Sequence, residues 1–374
     1  MKTLKIQEVA NQVRGVSYKP DDLHDSLNDS SVILLRANNI DDGKINFDDV
    51  VYVDKSKVSK EQYLKRGDIL VCASSGSKQL VGKAASVDFE TECTFGAFCK
   101  VVRPQEEFAR YLGKYFQSNT YRSKISAVAI GANINNIRNE HIDTLDLRVY
   151  DEAKNEEIVH VISCVQSIIE HRKQEIKKLD ELIKARFVEM FGDPVNNEKG
   201  WITDTVDNLC IEIYGGGTPS KVHPEYYEDG DIPWVSSKDM KTDILTDSQI
   251  KINQMGVENS TARMVPVNSV IMVIRSGILK HTLPVAINAV PITVNQDLKV
   301  FIPSERILTR FLAVQFKMHE KDILTGVRAV TADNIEFNSL KQRKLIVPSI
   351  ELQQEYVLFL EQVDKSKVVL LSIK

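Results

Sequence analysis

The chain has 374 residues, 43% of them hydrophobic and 27% charged, ordinary values for a globular protein long enough to form two domains with their own cores. No run of 18 apolar residues occurs and residues 1–6 lead into polar sequence rather than a signal core, so a membrane protein is excluded and a cytoplasmic one expected. The net charge of −4, with +1 over residues 1–150 and −2 over 193–348, excludes a protein that grips nucleic acid by bulk basicity and leaves only locally placed charge for that purpose.

In chain order, short apolar β-branched runs at 32–35 and 69–72 read as strands, and 108–118 reads as a helical patch. An extended piece then leads into a long helix. From Ile158 the apolar residues Ile158, Ile162, Val165, Ile169, Ile176, Leu179 and Ile183 recur at four- and three-residue steps, with Arg172 at one seam position, a coiled-coil-like stripe. Gly192 and Pro194 stop this helix, and over 153–191 it would span about 58 Å at 1.5 Å per residue. The same order follows: strand-like runs at 270–274 and 298–302, a helical patch at 307–319, and a last helix carrying Leu352, Tyr356, Phe359, Val363 and Leu370 at the same spacing. That last helix, within 349–374, is shorter than the central one, which reads either as a truncation or as a central helix left partly unpaired.

The order repeats because the halves repeat. Val9 to Gly15 matches Leu209 to Gly215 at an offset of 200, Asp68-Ile69-Leu70-Val71 matches Ser269-Val270-Ile271-Met272 at 201, and Lys100-Val101 matches Lys299-Val300 at 199. Asn136-Ile137, Ile142, Leu147 and Val149 match Asn334-Ile335, Leu340, Leu345 and Val347 at 198. An offset held this closely along the whole chain marks a tandem duplication. The expected architecture is a mixed α/β (α+β) fold: one globule over 1–150, a spacer helix over 151–192, a second globule over 193–348, and a second spacer helix over 349–374. The two helices are expected to lie antiparallel and to relate the halves by a pseudo-two-fold rotation.

The run 178–194 (KLDELIKARFVEMFGDP), and 216–221 (GGTPSK) followed by 230–235 (GDIPWV), resemble the specificity subunits of type I restriction-modification systems: the first the helix that follows their first target-recognition domain, the second the opening of their second. The resemblance covers the chain in its order of parts. It implies a non-catalytic subunit that reads an asymmetric two-part site in double-stranded DNA, one half per domain, with the helices as a ruler. It also implies two methylation subunits and further restriction subunits as partners, with S-adenosylmethionine, ATP and Mg²⁺ bound by those partners and no cofactor in this chain.

The residues themselves offer little other chemistry. No phosphate-binding loop of the Gly-x-x-x-x-Gly-Lys type and no Gly-x-Gly-x-x-Gly occurs, and neither does an Asn/Asp-Pro-Pro-Tyr methyltransferase signature. Pro20-Asp21 with Asp42-Gly43-Lys44 is a loose match to a nuclease metal site, but Asp42-Gly43 reads as a turn. The five cysteines are scattered and read as inert thiols, and no metal site is expected. Gly215-Gly216-Gly217 is open to two readings, a backbone cradle for phosphate or a plain turn. Alternatives to DNA reading are a two-domain scaffold that binds protein, or a nuclease or methyltransferase in its own right.

Base edges are read by Arg or Lys at guanine, Asn or Gln at adenine, and adaptably by Ser or Thr. In the first half the polar loops with such residues carry Tyr18, Lys19, Arg36, Asn38, Asn39, Ser74, Ser75, Lys78, Gln79, Asn133, Asn136 and Arg138. In the second they carry Thr218, Ser220, Lys221, Ser236, Ser237, Lys238, Arg275, Ser276, Lys280, Arg328, Thr331 and Asn334. Apolar positions match between halves while these loops differ: Arg36 aligns with Ser236, Asn38 with Lys238, and Ser74 with Arg275. Two unlike half-sites would require one scaffold with different edges.

Overall fold

The computed structural model describes residues 1–77, 79–128, 135–325, 328–329 and 333–372. Two compact units, Met1–Glu170 and His171–Lys374, divide the chain. The boundary falls inside one unbroken helix, Glu152–Phe191, rather than at its ends.

Each unit is built on the same strand pairing. In the first, Ala84–Ser86, Ile69–Cys72, Cys99–Pro104 and Ala10–Arg14 lie side by side in that order. In the second, Val285–Asn288, Val270–Val273, Leu298–Pro303 and Cys210–Gly215 do the same. Lys100 faces Arg14 in one register and Lys299 faces Gly215 in the other, so the sequence repeat reappears as paired backbone. A parallel pair completes each unit, Cys93–Phe95 on Ser31–Leu35 and Thr293–Val294 on Ile232–Val235. The first strand of each unit closes on its last, Lys2–Lys5 on Asp146–Val149 and Thr203–Thr205 on Lys344–Ile346. The central strands are buried along their length, Ile69–Cys72 and Val270–Val273 alike, which is why they appear in the sequence as continuous apolar runs rather than alternating ones.

Glycine is required where each unit folds back on itself. A Cβ on Gly15 would stand 2.1 Å from the carbonyl oxygen of Gly96, and one on Gly216 would stand 1.9 Å from that of Val294. Beside these contacts Val16 N–H donates to Phe95 (2.8 Å) and Gly217 N–H to Val294 (3.0 Å). The glycine run at 215–217 is therefore filled by backbone packing, which favours its reading as structure over that of a phosphate cradle. Gly216→Ala is expected to destabilise the second unit by about 1–3 kcal/mol or more, because the neighbour is backbone and cannot swing aside. Urea unfolding measures it, and an unchanged midpoint would contradict this account. Asp42 and Gly43, at φ 44° and 77°, form a two-residue hairpin between Ile40–Asp41 and Lys44–Ile45, the turn expected there.

Within the first unit the central helix lies on the globule by polar contacts, Arg110–Glu156 at 2.5 Å, Lys114–Gln166 at 2.5 Å and Lys44–Glu170 at 3.2 Å. Asp151 caps its start by accepting from Lys154 N–H. Here the expected stripe fails: Ile162, Val165 and Ile169 are exposed, and the buried residue of the first turns is Val159 rather than Ile158. Within the second unit the helix Ile350–Ser372 runs antiparallel to residues 171–191, as expected. Tyr356 donates to the Ile183 carbonyl (3.0 Å), Arg186 meets Glu355 (3.0 Å), and Lys367 meets Asp180 (2.5 Å). Ile183, Leu352 and Phe359 pack on the core of this unit, and Tyr356 and Val363 are buried. The deepest anchors, Phe187 and Phe191, lie off the stripe; Phe187 stacks on Phe311, and the contacts of Phe191 with Phe311 and of both rings with Tyr356 are edge-to-face. The last turn meets two helices at once, Thr309–Met318 and Ile350–Ser372, so its buried side is set by both and departs from a single two-helix seam.

Candidate nucleic-acid interface

In the first unit two candidate loops are joined by backbone: Ser74 pairs with Asn136 and Ser75 with Asn135, and Ile137 N–H donates to Ala73. In the second, Arg275 bridges to Asn334, which also pairs with Arg328, and Ile335 N–H donates to Ile274. These polar segments lie about 60 residues apart in sequence but form one ribbon per unit. Lys78, Asn133 and Thr331 lie outside the described residues.

A third loop meets each ribbon. Ala73 and Ser74 N–H both donate to the Phe98 carbonyl (2.9 and 3.0 Å), and Ile274 and Arg275 N–H both donate to that of Asp297 (2.9 and 3.3 Å). Phe98 and Asp297 are repeat equivalents that the loop reading missed. Extending the match Lys100/Lys299 back by two residues would have aligned them. Their chemistry differs: Phe98 is 69% exposed, whereas Asp297 accepts from Arg275 Nε (2.7 Å) and Asn295 Nδ2 (3.2 Å). Around Asp297 gather Gln296, bonded by the Thr218 hydroxyl, and Asn295, whose N–H donates to Val235 just before Ser236. The structure thus brings Thr218, Ser236, Arg275 and Asn334 into one polar neighbourhood. The buried carbonyl of Gly217 accepts from Trp234 Nε1 (3.0 Å), which holds the Thr218 loop in place.

Other candidates are committed inside the chain. Arg36 and Asn38 converge on the Asp49 carboxylate (3.0 and 2.7 Å), and Asn39 donates to the Asp49 carbonyl (3.0 Å). Asn39 is fully buried, so its amide shapes this turn and is not presented to a ligand. Tyr18 packs against the buried cluster formed by Val16, Val32, Leu34 and Val53, while Lys19 is exposed beside it. Ser236 is closed on Asp239 through both N–H and hydroxyl (2.9 and 2.7 Å), with Ser237 and Lys238 in the same turn. Ser276 and Ser220 accept from nearby backbone N–H groups, and Lys221 and Lys280 are exposed. Gln79 holds Arg122 through its carbonyl (2.9 Å), and Arg138 pairs with Glu140 (3.2 Å).

The thiols of Cys72, Cys93, Cys99 and Cys210 are buried, and burial pushes Cys93 and Cys210 up to about 12, far from the thiolate a reactive cysteine needs. Among the described residues no three His, Cys, Asp or Glu side chains gather as a metal site. No described helix is long and apolar enough to cross a membrane.

Two like scaffolds that present unlike polar loops define a duplicated α/β module. Residues 198–372 match the profile of the type I restriction modification DNA specificity domain. The chain is 34% identical over 194 residues to the EcoKI specificity subunit of Escherichia coli (strain K12), covering 52% of this chain and 42% of that one. It is 39% identical over 153 residues to the EcoR124I/EcoR124II specificity subunit of Escherichia coli, covering 40% of this chain and 38% of that one. These matches span about two fifths of the relatives' own length. In fold it is similar to the type I restriction-modification S subunit from M. genitalium, at a TM-score of 0.53 and 13% identity over 100% of this chain and 93% of that one. Residues 198–372 thus resemble a type I restriction modification DNA specificity domain, and about half of the chain is similar to type I restriction enzyme specificity subunits.

Proposed function

We infer that the chain recognises double-stranded DNA by sequence, one half of an asymmetric bipartite target per unit, within a type I restriction-modification complex. One observation carries this reading. At the same place on two like scaffolds stand Ser74 with Phe98 in one unit and Arg275 with Asp297 in the other, and such a difference suits two unlike half-sites. In this reading the chain catalyses nothing. Two methylation subunits bring S-adenosylmethionine and adenine-N6 transfer, restriction subunits bring ATP, Mg²⁺ and cleavage, and all act on DNA in the cytoplasm.

The test is to co-express the chain with type I methylation and restriction partners in a host free of other adenine methylation and to map the modified adenines. A single bipartite motif is expected. Arg275→Ala is expected to relax one half of that motif, losing about 1–3 kcal/mol of discrimination at one base pair, and to leave the other half unchanged. Loss of both halves together would mean that Arg275 only supports the fold. Absence of any motif would reject DNA reading.

A further inference from the structure

The second residue of the strand that follows the Phe98/Asp297 loop is a lysine in both units, Lys100 in Cys99–Pro104 and Lys299 in Leu298–Pro303. Both are half-buried. The Lys299 ammonium lies 4.5 Å from the centroid of the Phe337 ring and 2.6 Å from where a Cβ on Gly215 would stand. It forms no ion pair among the described residues, and the charge nearest to it in effect is that of Arg275, which is like in sign. Lys100 donates to the side-chain oxygen of Asn139. Its strand neighbour Arg14 is exposed and makes no side-chain hydrogen bond or ion pair among the described residues. Burial lowers the pKa of both lysines. The neighbouring arginines add to this, and only Asp143 opposes it, at Lys100.

A cation drawn partly out of water beside another cation is unfavourable unless an anion offsets it. Packing does not explain its recurrence, because Asn139 stands in the first unit where Phe337 stands in the second. What the two units share is the cation, placed two residues after the centre of each polar loop surface. We propose that Lys299, and Lys100 together with Arg14, each bind one backbone phosphate of the duplex that their own unit reads. This rests on the DNA reading above and assigns these residues to positioning rather than to base choice. Lysine, a compact point charge, suits a phosphate that carries no sequence information.

The test is binding of the full chain, assembled with type I methylation partners, to a random-sequence duplex and to duplexes of varied sequence, followed by fluorescence anisotropy between about 50 and 200 mM salt. Lys299→Met keeps the apolar stem over Phe337 and removes the charge. It is expected to reduce the steepness of log K against log salt by about 0.9 and to weaken binding about tenfold near 0.1 M salt, alike for all sequences. Lys100→Met is expected to do the same, and Lys299→Arg to retain the wild-type slope. A wild-type chain that binds while Lys299→Met keeps the full slope overturns the phosphate assignment alone. So does a variant that loses thermal stability without a change of slope, or one that alters sequence preference. A wild-type complex that binds no duplex at the lowest salt overturns the DNA reading and this assignment with it.

Discussion

Phe191→Ala is expected to destabilise the second unit by about 3–5 kcal/mol, the usual range for removing a fully buried aromatic side chain. Phe191 is buried with ring centroids 5.1 Å from Phe187, 5.1 Å from Phe311 and 5.7 Å from Tyr356, and its carbonyl accepts from Trp201 Nε1 (2.9 Å). The cluster ties together the last turn of the central helix, the helix Thr309–Met318 and the terminal helix. Alanine there would leave a cavity walled by side chains from three elements that cannot all collapse into it. Phe191→Leu, which keeps most of the volume, is expected to cost less than half as much. Urea unfolding followed by tryptophan fluorescence reads the difference through Trp201. Equal losses for leucine and alanine would show that the site relaxes freely and that the aromatic cluster does not hold the helices.

The second large effect is on acid stability. His319 follows the helix Thr309–Met318 and is 2% exposed. Neither ring nitrogen finds a hydrogen-bond partner among the described residues. Burial lowers its pKa from 6.5 to about 4; Arg343 adds to this, and Asp322 and Asp193 oppose it. Between those two values the unfolded chain carries the extra proton, so the stability present above about pH 6.5 is lost as pH falls toward 4. At 1.36 kcal/mol per unit the loss from this group is about 3 kcal/mol. His319→Leu, which cannot titrate and leaves no unpaired buried nitrogen, is expected to be neutral or stabilising at pH 7 and to flatten the acid limb by that amount. Midpoints of urea unfolding at pH 7, 5.5 and 4 compare the two. Parallel loss of stability in both chains would place the acid sensitivity in other groups.

The amino-acid sequence by itself determined the duplication, the strand-rich globules, the long central helix with its stop at Gly192, and the antiparallel pairing of the second helix. These follow from apolar periodicity and from matched apolar positions, which every fold of this chain must satisfy. It also pointed to Ser74, Asn136, Arg275 and Asn334 as loop residues, because polar runs between strands are visible without coordinates. Only the tertiary structure decided which of these loops meet. The ribbons Ser74–Asn136 and Arg275–Asn334, and the Phe98 and Asp297 carbonyls that receive their backbone, are contacts between distant segments, and no local pattern encodes them. Asn39 looks like a reader in sequence and in space is buried, with its amide bonded to the Asp49 carbonyl. Lys299 looks like an ordinary strand residue and is set among Gly215, Phe337 and Arg275 by the closing of its sheet. Burial of a polar group depends on what lies across the sheet from it, and that is fixed only when the whole unit has closed.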